Sequence, residues 1–320
     1  LGPIQIGEGS FNVAIQTSKT LDIDSGDFLN NGTVALTTGT DASSYIRFKD
    51  GINASADVTL DGTIRSDSSQ NYSGNVSLAG DTSLSGTTAS FANGLEGGGN
   101  NLSLNMNGST NLNAGLNNVS DFSSTGDVSL GGAFTTTGSQ TYGSNVSLTG
   151  DTALSGTSAS LSGVTGNNNN LSLNFSSGAV SLAGSYSNIA DFIAETDVDL
   201  DGTITTSGSQ SYQAGVSLSG DTSLSGTTAS FSEAIAGGGN DLSLNMSGLT
   251  TLNQGASGLG NFSSTGDISL AGDLTTTGSQ TFGGNLSLAG DTALSGTNAS
   301  LNGVTGNNHN LSLNFSGGAV

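Results

Sequence analysis

Apolar and polar residues alternate along most of this chain in short triplets such as VSL, LSL, VDL and ISL, with Gly and Asn between them. Landmark positions run Val76, Leu102, Val128 and Val146, spaced by 26, 26 and 18 residues. The next set is Val146, Leu171, Val198 and Val216, spaced by 25, 27 and 18. A period of two sends alternate side chains to opposite faces, so each triplet reads as a strand with one buried and one wet face. Apolar residues at helical spacing are absent, which excludes helical repeat arrays. Short strands returning every 18 to 27 residues predict an all-β fold, a parallel β-helix or β-solenoid, with about three coils per 70-residue unit.

The strand pattern sits inside a longer repeat. The stretch SQTYGSNVSLTGDTALSG, Ser139 to Gly156, has copies starting at Ser69, Ser209 and Ser279, and Gln70, Gln140, Gln210 and Gln280 fall 70 residues apart. Copies from Ser69 and Ser209 continue into ASFANGLEGGGNNLSLNM and ASFSEAIAGGGNDLSLNM. Those from Ser139 and Ser279 continue into ASLSGVTGNNNNLSLNF and ASLNGVTGNNHNLSLNF, so two versions alternate in a 140-residue super-repeat. Residues 1–68 read as divergent opening coils of the same solenoid, because Asp57 already aligns at 70-residue steps with Asp127, Asp197 and Asp267. Residues 69–320 are the repeat shaft, its last unit incomplete. Counting triplets gives about 14 coils stacked at the ~4.8 Å strand spacing. Val320 matches Val180, after which the earlier unit continues, so the chain is expected to be a segment of something longer.

Composition narrows the function classes. With 51 Gly and heavy use of Ser, Thr and Asn the chain would pass for disordered, but the period-two pattern rejects that reading. No cysteine is present, so neither disulfides nor thiolate metal sites are available. The net charge is −21, and all four basic residues, Lys19, Arg47, Lys49 and Arg65, lie in the first 65 positions. A base-free acidic surface repels phosphate backbones, which excludes nucleic acid as a partner. It also leaves trypsin no cleavage site beyond Arg65. No apolar run reaches membrane-spanning length.

The string TTTGSQTYGSNVSLTGDTALSG, Thr135 to Gly156, resembles the repeats of filamentous-haemagglutinin-type exoproteins. The resemblance is carried by Gln140, Tyr142, Val146, Leu148, Asp151, Thr152 and Leu154 and by their counterparts in the other units. It covers about 22 residues in each of four copies and more loosely the whole chain. Members of that family are large bacterial adhesins, many exported by two-partner secretion. The resemblance implies a right-handed parallel β-helix in an extracellular, cell-surface setting.

Candidate chemistry is sparse. Tyr72, Tyr142 and Tyr212 become Phe282 in the fourth copy, so the position reads as an aromatic packing at a coil corner. Asp81, Asp151, Asp221 and Asp291 stand in Gly-Asp-Thr, where an Asp bonds its own following backbone and stabilises a turn. Calcium is the ion that oxygen-rich turns suit. Yet copies about three coils apart, roughly 14 Å, cannot share one ion. The sharpest local feature is Glu195, Asp197, Asp199 and Asp201, which alternate along one predicted strand and form a candidate cation stripe. His309 replaces Asn169 of the matching loop and reads as a turn substitution. Thr135-Thr-Thr137 and Thr275-Thr-Thr277 recur too seldom for an ice-binding face.

These readings combine into a structural shaft segment of a secreted bacterial cell-surface adhesin or fibre, giving reach and protease-resistant rigidity. Its expected partners are other copies of the rod or a host or neighbouring cell surface, without cofactor. The alternative is a self-assembling extracellular filament or sheath subunit stacking end to end, with possible lateral association. A polysaccharide-acting β-helix enzyme is the remote alternative. The acidic stripe is the one carboxylate group a glycosidase could use, no base is available for a lyase, and there is no Trp for a sugar platform.

Overall fold

A computed structural model describes residues 13–23, 28–30, 32–39, 41 and 43–318. The calls at Leu1, Pro3, Asn12 and Val320 lie outside the described residues. Every described regular element is a β-strand, and the reported ladders are parallel, stacked into a β-solenoid of about 15 turns among the described residues. The chain forms two compact units, residues 1–161 and 162–320.

In the first unit three columns of inward-facing residues define the coil. One runs Gln70, Ala89, Thr110, Val128 and Val146, each pairing with its successor on the next coil. A second runs Val76, Leu95, Leu116, Phe134 and Leu154. The third runs Thr82, Leu102, Phe122, Gln140 and Ala159. All the apolar members are buried, whereas the residues between them, such as Ser103 and Ser129, keep contact with solvent. That alternation is the period-two pattern of the sequence made physical, and burying each Leu or Val contributes about 1.5–3 kcal/mol.

Starting from Gln70, the chain returns to the first column at Ala89, Thr110 and Val128 before Gln140 arrives in the third column. One 70-residue unit therefore makes three and two-thirds turns, which sharpens the count of about three. The second unit repeats the arithmetic. Gln210 leads to Ala229, Thr250 and Ile268, and Gln280 then falls in the column of Thr222, Leu242 and Phe262. Copies 70 residues apart thus occupy different faces and stand about 18 Å apart along the stack at ~4.8 Å per coil.

Before residue 69, strands Val34–Thr37, Tyr45–Phe48 and Ile52–Ala54 pair in parallel with Val58–Ser66 and Gln70–Tyr72. These early coils are longer: Val34 meets Val58, whereas Val58 meets Val76 only 18 residues on. The basic residues gather here. Arg47 pairs with Asp67 and reaches Asp22 at 3.5 Å, and the Arg65 guanidinium lies 4.3 Å from the centre of the Tyr45 ring. The Arg47 guanidinium beside Asp67 lowers that carboxyl below its usual range, through hydrogen bonding first and charge second.

The two alternating versions of the unit solve one turn with two chemistries. In the Gly-Gly-Gly-Asn version the left-handed positions are Gly98 and Gly99, at φ 59° and 82°, and again Gly238 and Gly239, at 60° and 89°. In the Asn-rich version they are Asn167 and Asn168, at 52° and 62°, and Asn307 and Asn308, at 51° and 66°. Gly enters this region without steric cost, and Asn is among the side chains that tolerate it.

Candidate functional site

The polar groups of this fold bind one coil to the next. The Asp57 Oδ1 accepts the backbone N–H of Asn75 at 2.9 Å, 18 residues ahead on the adjoining coil. Its counterparts Asp127, Asp197 and Asp267 accept the N–H of Asn145, Gly215 and Asn285 at 3.2, 2.9 and 2.8 Å. Sequence reasoning used these four only to set register. Their invariant spacing from the following triplet was the available signal for a corner acceptor.

The Gly-Asp-Thr acids act in the same way. Asp81, Asp221 and Asp291 accept the N–H of Asn101, Asp241 and Asn310, each at 2.9 Å. Their partners stand 19 or 20 residues ahead, on the next coil, not in the acid's own turn. The side-chain amides of Asn101 and Asn310 add bonds of 3.2 and 3.0 Å. The fourth member, Asp151, lies exposed on its strand. The Asn310 N–H, with help from its side chain, holds the Asp291 carboxyl below the usual range. His309 lies 3.7 Å from that carboxyl at the surface.

A third set of acceptors follows the same rule. Asp121 and Asp191 take both the N–H and the hydroxyl of Ser139 and Ser209, at 2.6 to 2.8 Å. Those bonds hold both carboxyls below their usual range. In the next copy the position is Asn261, whose Oδ1 accepts from Ser279 N–H and hydroxyl at 2.9 and 3.1 Å.

The acidic stripe does not lie along one strand. Strand Val180–Ala194 ends before Glu195, and strand Val198–Thr206 starts after Asp197. The chain turns a corner at the buried Thr196, so Glu195 and Asp197 stand at that corner while Asp199 and Asp201 line the next strand. Each acid is engaged separately. Glu195 accepts from the Asn174 amide at 2.7 Å, Asp197 from Gly215 N–H, and Asp199 from the Ser217 hydroxyl at 3.0 Å. Asp201 lies against Gly220, where an added Cβ would stand 1.9 Å from its Oδ1. Among the described residues no three acids or imidazoles come together in a group that could hold a metal ion, these four included. The expectation of a cation stripe is corrected by the corner, which splits the four across two faces.

The interior holds one recurring polar module. Gln70, Gln140, Gln210 and Gln280 are buried, and their Nε2 atoms donate to the carbonyls of Ser85, Ser155, Ser225 and Ser295, each at 2.9 Å. The hydroxyls of Tyr72, Tyr142 and Tyr212 donate to the Oε1 of Gln70, Gln140 and Gln210 at 2.7, 2.9 and 2.9 Å. Burial pushes these hydroxyls well above the ordinary phenol range, so they remain protonated donors at any physiological pH. Their rings stack on the aromatic of a neighbouring coil, with Tyr72 5.1 Å from Phe91 and Tyr212 4.6 Å from Phe231. Phe282 packs 5.2 Å from Phe262 in the same manner. The Gln-x-Tyr spacing was visible in the sequence, but the bond between its two side chains needs both to point inward.

The surface offers little for a small ligand. A shallow groove of about 590 Å³ in the first unit is floored around Leu95 and Leu116 and edged by Glu96, Asn117, Ala114 and Ala133. The Glu96 Oε2 already accepts from the Asn117 amide at 2.9 Å, and no base or aromatic ring lines the groove. Thr136 and Thr276 turn inward and donate to the carbonyls of Gly138 and Gly278, while Thr135 faces Ser155 on the adjacent coil. No helix among the described residues is long and apolar enough to cross a membrane. No family model, no curated protein and no solved structure matches the chain.

Proposed function

We propose that this chain is a shaft segment of a secreted bacterial cell-surface adhesin or fibre, working by reach and durability, without catalysis. One observation carries the reading: buried Gln, corner Asp and outward Ser all make their bonds to an adjoining turn of the chain. Gln140 to Ser155, Asp121 to Ser139 and Ser103 to Ser123 at 3.1 Å are examples. Such a coil is stabilised by its nearest neighbours, so the stack lengthens by adding units without changing the design. Durability against trypsin follows from the absence of Lys and Arg after Arg65. The resemblance of Thr135–Gly156 to adhesin repeats supplies the extracellular setting.

Immunogold electron microscopy of intact producing cells, with antibody raised against residues 66–318, tests the reading. Label along projections outside the cell envelope is the expected result. Label confined to the cell interior would overturn it.

A further inference from the structure

The sequence contains sixteen Asn-x-Ser/Thr tripeptides, the minimal acceptor for an N-linked sugar. A chain rich in Asn and Ser meets that pattern often, so the tripeptide alone selects nothing. The fold does select. Asn31 lies outside the described residues. In most of the others the middle residue is an inward member of the triplet, and Val76, Leu102, Val119, Phe175, Met246 and Phe262 are all buried. A transferase must draw the tripeptide into its own active site, which here would require peeling a coil from the stack. Many of the amide nitrogens are also engaged: Asn75 donates to Asp57, Asn101 to Asp81, Asn174 to Glu195, Asn261 to Asp241 and Asn310 to Asp291.

Asn107-Gly108-Ser109 differs on each count. It forms the corner between strands Leu102–Met106 and Thr110–Leu112, and it is the one described tripeptide of this type with all three residues exposed. Its backbone is pinned, because the Asn107 N–H donates to Gly86 O at 2.9 Å and the Gly108 N–H to Thr87 O at 2.8 Å. The side-chain amide of Asn107 has no protein partner among the described residues. The corresponding corner of the second unit reads Ser247-Gly248-Leu249, with the same backbone bonds to Gly226 and Thr227 but no acceptor Asn.

We propose that Asn107 is the acceptor of an N-linked sugar in the folded protein. The donor class is a glycosyl phosphate, carried on a nucleotide or a lipid. The Asn107 Nδ2 forms a bond to the anomeric carbon, the carbon–oxygen bond to phosphate breaks, and the phosphate leaves with the electron pair. One amide proton passes to a base of the transferase. The Ser109 hydroxyl supplies the second recognition point.

Two measurements test this. Protein purified from its own cells is cleaved at acidic residues and mapped by mass spectrometry. A sugar on the Asn107 peptide is expected, and an unmodified Asn107 peptide overturns the proposal. In parallel, the folded 320-residue chain and a urea-unfolded sample are treated with a soluble Asn-x-Ser N-glycosyltransferase and UDP-glucose. Hexose at Asn107 alone in the folded sample, and at several sites in the unfolded one, is expected. Equal labelling of Asn75, Asn101 and Asn261 in the folded sample would refute the selection. Asn107→Gln and Ser109→Ala should each abolish the folded-state label, and persistence in Ser109→Ala would also count against it.

Discussion

The Tyr142 hydroxyl donates to the Oε1 of Gln140 at 2.9 Å, with both side chains fully enclosed in the coil. In the fourth copy the tyrosine is Phe282, and the Gln280 Oε1 is left buried without a hydrogen-bond partner among the described residues. A buried unsatisfied acceptor costs about 1–3 kcal/mol. Phe282→Tyr should therefore stabilise the protein by about 1 kcal/mol, since the ring site is already shaped for an aromatic and only a hydroxyl is added. Tyr142→Phe should destabilise by a similar amount. Urea unfolding followed by near-ultraviolet circular dichroism reads both. A neutral or destabilising Phe282→Tyr would show that the Oε1 is satisfied in some other way.

Asp121, Asp191 and Asn261 hold the same corner with different chemistry, which gives an internal control for pH. The two carboxyls are depressed in the folded state, so their contribution is fully present above the ordinary carboxylate value. It is lost as pH falls through about 4 and then through the lowered folded values. The Asn261 acceptor does not titrate. Amide exchange at Ser139 and Ser209, corrected for intrinsic rates, should accelerate between pH 5 and pH 2.5 relative to Ser279, within roughly the titration range of a carboxylate. Equal acceleration at all three would assign the loss to global unfolding, and Asp121→Asn should make Ser139 behave like Ser279.

Calcium should act on this protein only as salt. The four acids from Glu195 to Asp201 are split by the corner at Thr196 and bonded to separate partners, so no ion gathers them. The net charge of −21 still makes the melting temperature rise with ionic strength, because screening weakens self-repulsion. The rise with calcium should match that with magnesium at equal ionic strength and should survive Asp197→Asn with Asp199→Asn. A calcium-specific shift abolished by the double variant would restore the cation site.

The fold was legible in the sequence to the extent that period-two alternation reports burial. Leu148 and Leu171 face inward and Ser147 and Ser172 outward, as the triplets require. The turn count was harder to read. Triplets such as Leu95-Glu96, with a single strongly apolar residue, leave no alternation to see, although Leu95 pairs Val76 with Leu116 and marks a turn of its own. Corner chemistry was legible as residue type but not as direction. Asp81 in Gly-Asp-Thr reads equally well as a local turn and as an acceptor for Asn101, and only the register of the next coil decides. The stripe failed for a related reason. Thr196 continues the alternation by being buried, so a corner and a straight strand look alike in one dimension.

The alternation of Gly-Gly-Gly-Asn with Gly-Asn-Asn-Asn makes a prediction about exchange between the two versions. Gly99 stands at φ 82° with no atom within 4 Å of an added Cβ, so a side chain there meets open space and only backbone strain. For most residues the left-handed region costs roughly 1–2 kcal/mol, whereas Asn enters it more readily. The protein already uses that tolerance, with Asn168 at φ 62° and Asn308 at φ 66° in the matching turns. Gly99→Asn should therefore cost at most a few tenths of a kcal/mol, while Gly99→Val, β-branched and without a local hydrogen bond, should cost about 2. Because a solenoid coil can open without unfolding the whole chain, the loss should appear first as faster amide exchange at Gly99 and Asn100, whose N–H groups close this turn. The distant Gly239 turn should be unaffected. If Val and Asn prove equally costly, steric contact and not backbone handedness governs the position, and the two versions of the unit are not interchangeable solutions to one turn.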